Sequence, residues 1–149
     1  MNAGRYVLGS VVVFVYLFVY EWIFHGVIGK GWYSEYAHLM RPDAEVGMFM
    51  FWMIIGLLLL AFGFCFVFIK GYERRGIGEG FRYGLYVGLA FSVSNTLIEY
   101  GVLPLPVKWV VAWIIGYLIM MILAGIIFAA IYRPAVKAAE PAPGATEQA

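Results

Sequence analysis

Charge, cysteine and catalytic signatures are what this 149-residue chain has least of. It holds one cysteine, two histidines, and 13% charged residues, against about 25% charged in a typical soluble domain. A lone Cys65 cannot pair within the chain, so a disulfide scaffold is excluded. The net charge is only +1 and no basic block occurs, which argues against a nucleic-acid partner. There is no HExxH, GxSxG, CxxC or CxxCH. The run Gly76-Ile77-Gly78-Glu79-Gly80 is rich in glycine, but it follows no strand and lacks the phosphate-loop pattern. No nucleotide and no soluble-type enzyme chemistry are expected.

What fills the chain instead is apolar. Hydrophobic residues make up 64% and the mean hydropathy is +0.86. A soluble fold of this size buries only about two-thirds of its unfolded surface, too little to hide so much. Four continuous apolar runs stand out, at residues 6–28, 46–69, 81–102 and 109–132, each 22 to 24 residues long. About 20 apolar residues span the hydrocarbon of a bilayer as a helix. Strands would show runs of about 10 with strict alternation, which these lack. The expected architecture is all-α: an integral membrane bundle of four transmembrane helices in a lipid bilayer, at 1–133. The stretch 134–149 carries Pro and Gly and no bulky apolar residue beyond Val136, so it reads as a disordered cytoplasmic tail. The first run is too long for a signal peptide and no small-x-small site follows it, so it reads as a retained anchor.

Four spans put both termini on one side. That side carries Arg5, Lys70, Arg74, Arg75, Arg82, Arg133 and Lys137; the other carries Lys30, Arg41 and Lys108. The excess of cationic residues marks the cytoplasmic face, so both termini are expected in the cytoplasm of a bacterium or archaeon, with the chain in its cytoplasmic membrane. Residues 29–45 form the long outer loop, where Trp32, Tyr33 and Tyr36 suit the headgroup level. Pro104 and Pro106 force a tight outer turn between the last two helices.

Two patterns stand out within the runs. Gly80, Gly84, Gly88 and Ser92 recur every four residues along the third helix. Small residues at this spacing allow close helix packing, either inside the bundle or with another subunit. The second pattern is polar. Ser92, Asn95 and Glu99 share a face of the third helix, and Glu21 and His25 share a face of the first. At 1.5 Å per residue, His25 and Glu99 sit about 5 Å and Glu21 about 10 Å below the outer boundary. If the first and third helices touch, Glu21, His25, Asn95 and Glu99 form one outer-leaflet cluster. An ionisable group in a span costs a few kcal/mol unless paired or hydrated, so it is a functional candidate. A structural hydrogen-bonded cluster, a proton or ion site, and a metal site held by His25, Glu21 and Glu99 are the competing readings. Glu35 and His38 of the outer loop can fold back toward it. Met40, Met48, Met50 and Met53 gather on the same side, where thioethers suit Cu(I) or simply fill irregular packing.

The stretch Lys70-Gly71-Tyr72-Glu73, Gly76-Ile77, Glu79-Gly80 and Arg82-Tyr83-Gly84, with Glu21, His25-Gly26, Gly125 and Tyr132-Arg133-Pro134, resembles a group of small four-pass bacterial inner-membrane proteins of unknown function. The resemblance spans most of the chain except the tail and implies fold and location only. With no cofactor expected beyond an alternative transition-metal ion, the leading functional expectation is non-enzymatic. It is an accessory or self-associating subunit, a homo-oligomer or one part of a larger membrane assembly, held through the glycine face. The alternative is a protein that handles a metal, ion or proton at the Glu/His cluster.

Overall fold

The computed structural model describes residues 2–34 and 36–132, and they are helical almost throughout. The tail expected at 134–149, and Glu35, lie outside the described residues. Helix α1 (Ala3–Glu21) runs on as a π-helical stretch, Trp22–Ile28. A short α2 (Lys30–Ser34) and a 3-10 turn (Ala37–Leu39) give shape to the outer loop. Helix α3 spans Asp43–Lys70. Next come α4 (Ile77–Val87), a π-helical stretch Gly88–Val93, and α5 (Ser94–Val102). Helix α6 (Val107–Ile131) ends the described fold.

Three of these helical stretches are long and apolar enough to cross a membrane: Ala3–Ile28, Ala44–Lys70 and Val107–Ile131. The stretch expected as an uninterrupted third span, 81–102, is instead α4, a π turn and α5. It starts four residues earlier than expected, at Ile77, and takes in Glu79. Large apolar side chains point outward along the helices, among them Met48 (77% exposed), Leu59 (70%) and Phe91 (71%). A water-soluble monomer rarely presents such a continuous apolar exterior; for a chain in lipid it is the matching surface.

The stops and starts follow from the sequence. Asn2 caps α1, its side chain accepting from the Arg5 N–H at 3.1 Å. Leu103-Pro104-Leu105-Pro106 ends α5, and α6 starts directly after Pro106. Before α4 the chain turns sharply, with Gly76 at φ +70°, a conformation glycine reaches without strain. Glu79, at the third position of α4, is only 6% exposed. Its carboxylate accepts from the backbone N–H groups of Glu73 at 2.6 Å and Arg75 at 2.8 Å, so it staples the turn to the helix start, where a negative charge is favoured.

The helices pack in an open chain of pairs: α3 on α1, α1 on α6, and α6 on α4. Along α1 and α6, Tyr16 and Tyr20 donate to the carbonyls of Met120 (3.3 Å) and Gly116 (2.8 Å). Each helix also offers a glycine to a phenylalanine of the other, Gly9 to Phe128 and Gly116 to Phe24. On the α3 side, Tyr6 donates to the Phe62 carbonyl at 3.2 Å. The closest approach is α4 on α6. A Cβ built on Gly80 would strike the Gly125 carbonyl, and one on Gly84 would strike the Met121 carbonyl and Ile122 Cα. In lipid, where no hydrophobic force draws helices together, such close backbone packing holds them.

The small-residue stripe is therefore covered by this chain's own last helix. Gly88 still faces α6 through Leu118. Ser92, one turn further, is half-buried and lines a cleft to which Tyr117, Met120 and Met121 of α6 also contribute.

Replacing Gly84 by Ala puts a methyl group against backbone that cannot rotate away. Thermal unfolding in detergent should show Gly84→Ala and Gly80→Ala destabilised by about 1–3 kcal/mol. Gly56→Ala, where a Cβ meets nothing within 4 Å, should be neutral or slightly stabilising. Equal midpoints for all three would rule out the close α4–α6 contact.

Candidate functional site

Because α3 leans on α1 and α4 leans on α6, α3 and the α4–α5 stretch are left apart. Toward one end they are bridged by Tyr83. Its ring lies 4.6 Å from Phe64 and 5.2 Å from Phe68 between centroids, and its hydroxyl donates to the Phe64 carbonyl at 2.6 Å. Beyond Tyr83 the gap opens into a cavity of about 590 Å³. A smaller space of about 480 Å³, between Lys70, Glu73, Glu79 and Arg82, lies on the other side of Tyr83, which lines both.

The larger cavity has two characters. Leu59, Leu60, Phe64 and Val67 of α3, with Val87 and Phe91, form an apolar body. Glu21, Ser92, Asn95, Thr96, Glu99 and Tyr117 bring all of its polar side chains apart from Tyr83. Thr96 is buried and donates to the Ser92 carbonyl at 2.9 Å, while Asn95 and Glu99 are exposed. Ser92, Asn95 and Glu99 thus share one face of their helix, the cleft face. Glu99 has no hydrogen-bonding or ion-pair partner among the described residues.

Glu21 stands where the α-helical part of α1 gives way to its π turn. Its carboxylate lies 3.0 Å from His25 Nε2, with the two side chains 19% and 29% exposed. The other imidazole nitrogen, Nδ1, is 2.5 Å from the Tyr33 hydroxyl, and the Trp113 indole N–H donates to that same hydroxyl at 3.0 Å. Tyr117 Oη lies 3.4 Å from His25 Nε2. With Glu21 ionised and His25 neutral, donor counting yields one arrangement. Trp113 donates to Tyr33, Tyr33 donates its single proton to Nδ1, and Nε2–H donates to Glu21. If His25 is protonated, both of its N–H groups donate and the Tyr33 proton is displaced. The row thus has two hydrogen-bonded states that differ by one proton.

Rings hold the row in place. Tyr33 stacks on His25 (centroids 5.7 Å apart), meets Trp109 edge-on at 4.8 Å, and Trp109 lies 5.9 Å from Trp113. Burial pushes the Tyr33 hydroxyl above the ordinary phenol value; the Trp113 N–H opposes this and the Glu21 charge adds to it. Tyr33 therefore stays a neutral donor through physiological pH.

The expected single cluster is divided. Glu21 and Glu99 line the same cleft, from α1 and α5, while His25 does not line it: its Nε2 meets Glu21 and its Nδ1 meets Tyr33 of the outer loop. The two helices do not pack on each other; α6 stands between, with Tyr117 within electrostatic reach of both carboxylates. Among the described residues no three His, Cys, Asp or Glu side chains are grouped to hold a metal ion. His38 is exposed and pairs with the Tyr36 ring, 6.3 Å away. Met48 and Met53 point outward, and Cys65 is buried in the apolar core. Tyr33, Trp113 and Tyr117 were not anticipated as site residues. A signal existed for two of them: Trp109, Trp113 and Tyr117 recur every four residues, one aromatic stripe along α6. No protein family, no curated protein and no solved structure matches the chain.

Tyr33→Phe should cost about 1 kcal/mol at neutral pH through its lost hydrogen bonds. The folded-state value of Tyr33 is raised above the unfolded one, so its stabilisation is complete below about pH 10 and declines as pH climbs through the folded value. The stability gap between the wild type and Tyr33→Phe should therefore narrow in alkali, measured by denaturation on both sides of pH 10. A gap of constant width would show that Tyr33 is not buried as described.

Proposed function

We propose that this is a four-pass membrane protein with both termini in the cytoplasm, and that it binds a proton or small cation at Glu21 and His25 from the outer side. It acts as a binding protein rather than an enzyme. The observation that carries this reading is the position of the Glu21–His25 pair: Glu21 opens onto the cleft, and His25 is wired through Tyr33 of the outer loop to Trp113 on α6. A carboxylate this deep costs about 3 kcal/mol, and a partner imidazole offsets that cost while adding a second titratable group.

Crossing by Ile77–Val102 as the remaining pass is supported by its 26 helical residues and by its antiparallel seat on α6. The positive-inside count supports the sidedness, with the outer loop and the Pro104–Pro106 turn outside, and with it a place in the cytoplasmic membrane of a bacterium or archaeon. A resident transition metal draws less support, since the imidazole and the second carboxylate lie apart. Self-association through the glycine stripe draws none from this geometry, because α6 occupies that stripe. Another surface would have to serve an oligomer or an assembly.

Sidedness can be read with single cysteines and a membrane-impermeant maleimide on intact cells. Ser34→Cys and Leu103→Cys should label, and Arg74→Cys should not. Labelling of all three, or of Arg74→Cys alone, overturns the arrangement.

Trp113 is a built-in reporter, three hydrogen-bonding steps from Glu21. Its emission, isolated by subtracting the Trp113→Phe spectrum, should shift between acidic and alkaline buffers, or on adding small monovalent or divalent cations. Glu21→Gln and His25→Ala should each abolish the response, and His25→Ala, which leaves Glu21 and Tyr33 without their partner, should also lower the unfolding midpoint. A wild-type signal flat to both pH and cations would end this reading.

A further inference from the structure

We propose that the cleft between α3 and α5 is a binding site for an amphipathic organic amine, its basic nitrogen at the Glu21–Glu99 end and its apolar body running toward Tyr83. The inference rests on reading Glu21 as a cation-binding group and names the class of cation.

Size comes first. Ligand cavities commonly run from about 300 to 1,000 Å³, and this one measures about 590 Å³. At about 30 Å³ for each water-sized group, that is room for roughly 20 non-hydrogen atoms. A proton or a bare metal ion needs no such volume. The excess space is lined by Leu59, Leu60, Phe64, Val67 and Val87, walls that suit a hydrocarbon.

Charge comes second. No Lys, Arg or His lines the cavity, and two carboxylates do. An ordinary phospholipid would bring its phosphate, and a fatty acid its carboxylate, against Glu21 and Glu99. A protonated amine brings the complementary sign, with three N–H donors for an acceptor-rich end: two carboxylates, the Asn95 amide oxygen and the Tyr117 hydroxyl. Glu99, without a partner among the described residues, is left to meet the ligand, while Glu21 is already met by His25. In the reduced dielectric of this site such a charge match discriminates strongly between head groups on the same chain.

The fit is directional as well. The floor is closed by Tyr83 on Phe64, so a tail entering from the outer end stops there instead of passing through. The polar groups sit together at the opposite end, on the turns beyond the π stretch of the α4–α5 region and at the foot of the one in α1.

Native mass spectrometry of the full chain in neutral detergent tests the proposal, with hexadecylamine as the probe and hexadecanol and hexadecanoate as controls of equal chain length. The amine should add one molecule per chain, saturably, at least tenfold tighter than either control. Glu99→Gln should weaken amine binding about tenfold and leave the alcohol unchanged. Gly63 lines the cavity, and a Cβ there meets nothing within 4 Å. Gly63→Leu should therefore narrow the cleft and weaken amine binding at least tenfold without lowering the unfolding midpoint. Equal binding of amine and alcohol, full binding in Gly63→Leu, or displacement of the amine by phosphatidylcholine at equal concentration overturns the inference. The Trp113 response to protons and small cations is read separately. If it persists while the amine shows no preference, only the amine assignment fails; if both are missing, the cation reading fails with it.

Discussion

Backbone-to-backbone contact between α4 and α6 is the constraint on which the rest of this architecture depends. Gly80 and Gly84 let α4 approach α6 so closely that no methyl group fits between them. On its other side α4 reaches α3 through the Tyr83 ring, which meets Phe64 and Phe68. Helix α1 meanwhile is committed to α6 through Tyr16 and Tyr20, and α3 is committed to α1. Three tight pairings among four helical stretches leave one gap, between α3 and the α4–α5 stretch. In water such a gap would collapse, because exposed apolar walls attract each other. In lipid the walls are already solvated by hydrocarbon, so the gap persists and becomes available to a ligand.

Part of this architecture was legible in the amino-acid order and part was not. Runs of more than 20 apolar residues mark the three long apolar helices directly, and Gly80, Gly84 and Gly88 of the small-residue repeat form a face that lies against α6. Which helix would cover that face was not written in the spacing, since Gly116, Gly125 and Ala129 on α6 match it no better than a second copy would. The π turns were invisible, because they arise from packing and leave no signature in an apolar run. Their consequence is local and large. They interrupt the first and third apolar runs at Trp22–Ile28 and Gly88–Val93, beside the residues that line the cleft. Tyr33 was legible only as an interfacial aromatic, because its bond to His25 depends on how a loop of 17 residues, 29–45, folds back over the bundle.

The polar groups inside the spans show how a membrane protein keeps ionisable side chains at tolerable cost. Each member of the row from Trp113 to Glu21 supplies what the next one lacks. The indole can only donate, the carboxylate can only accept, and the hydroxyl and imidazole between them do both. Every donor in the row is thereby used, and the row has one free variable, the proton on His25. That economy also explains why aromatic residues gather there. Stacked rings fix the imidazole plane, so the hydrogen bonds are made without ordering flexible side chains at the moment of binding.

Selection in the cleft then comes down to competition with lipid. Any cavity open to the bilayer is filled by acyl chains when nothing else is bound, so the apolar walls alone give no preference for one tail over another. Affinity gained there is nearly cancelled by the chain displaced. What remains is the head group, and specificity is the difference between its energies in the site and at the membrane surface. A phosphate meeting Glu21 and Glu99 loses on that comparison, a neutral alcohol roughly breaks even, and an ammonium gains. The carboxylates that make this part of the chain harder to fold into a membrane are thus the groups that set it apart from an ordinary lipid-filled crevice, and neither effect can be removed without the other.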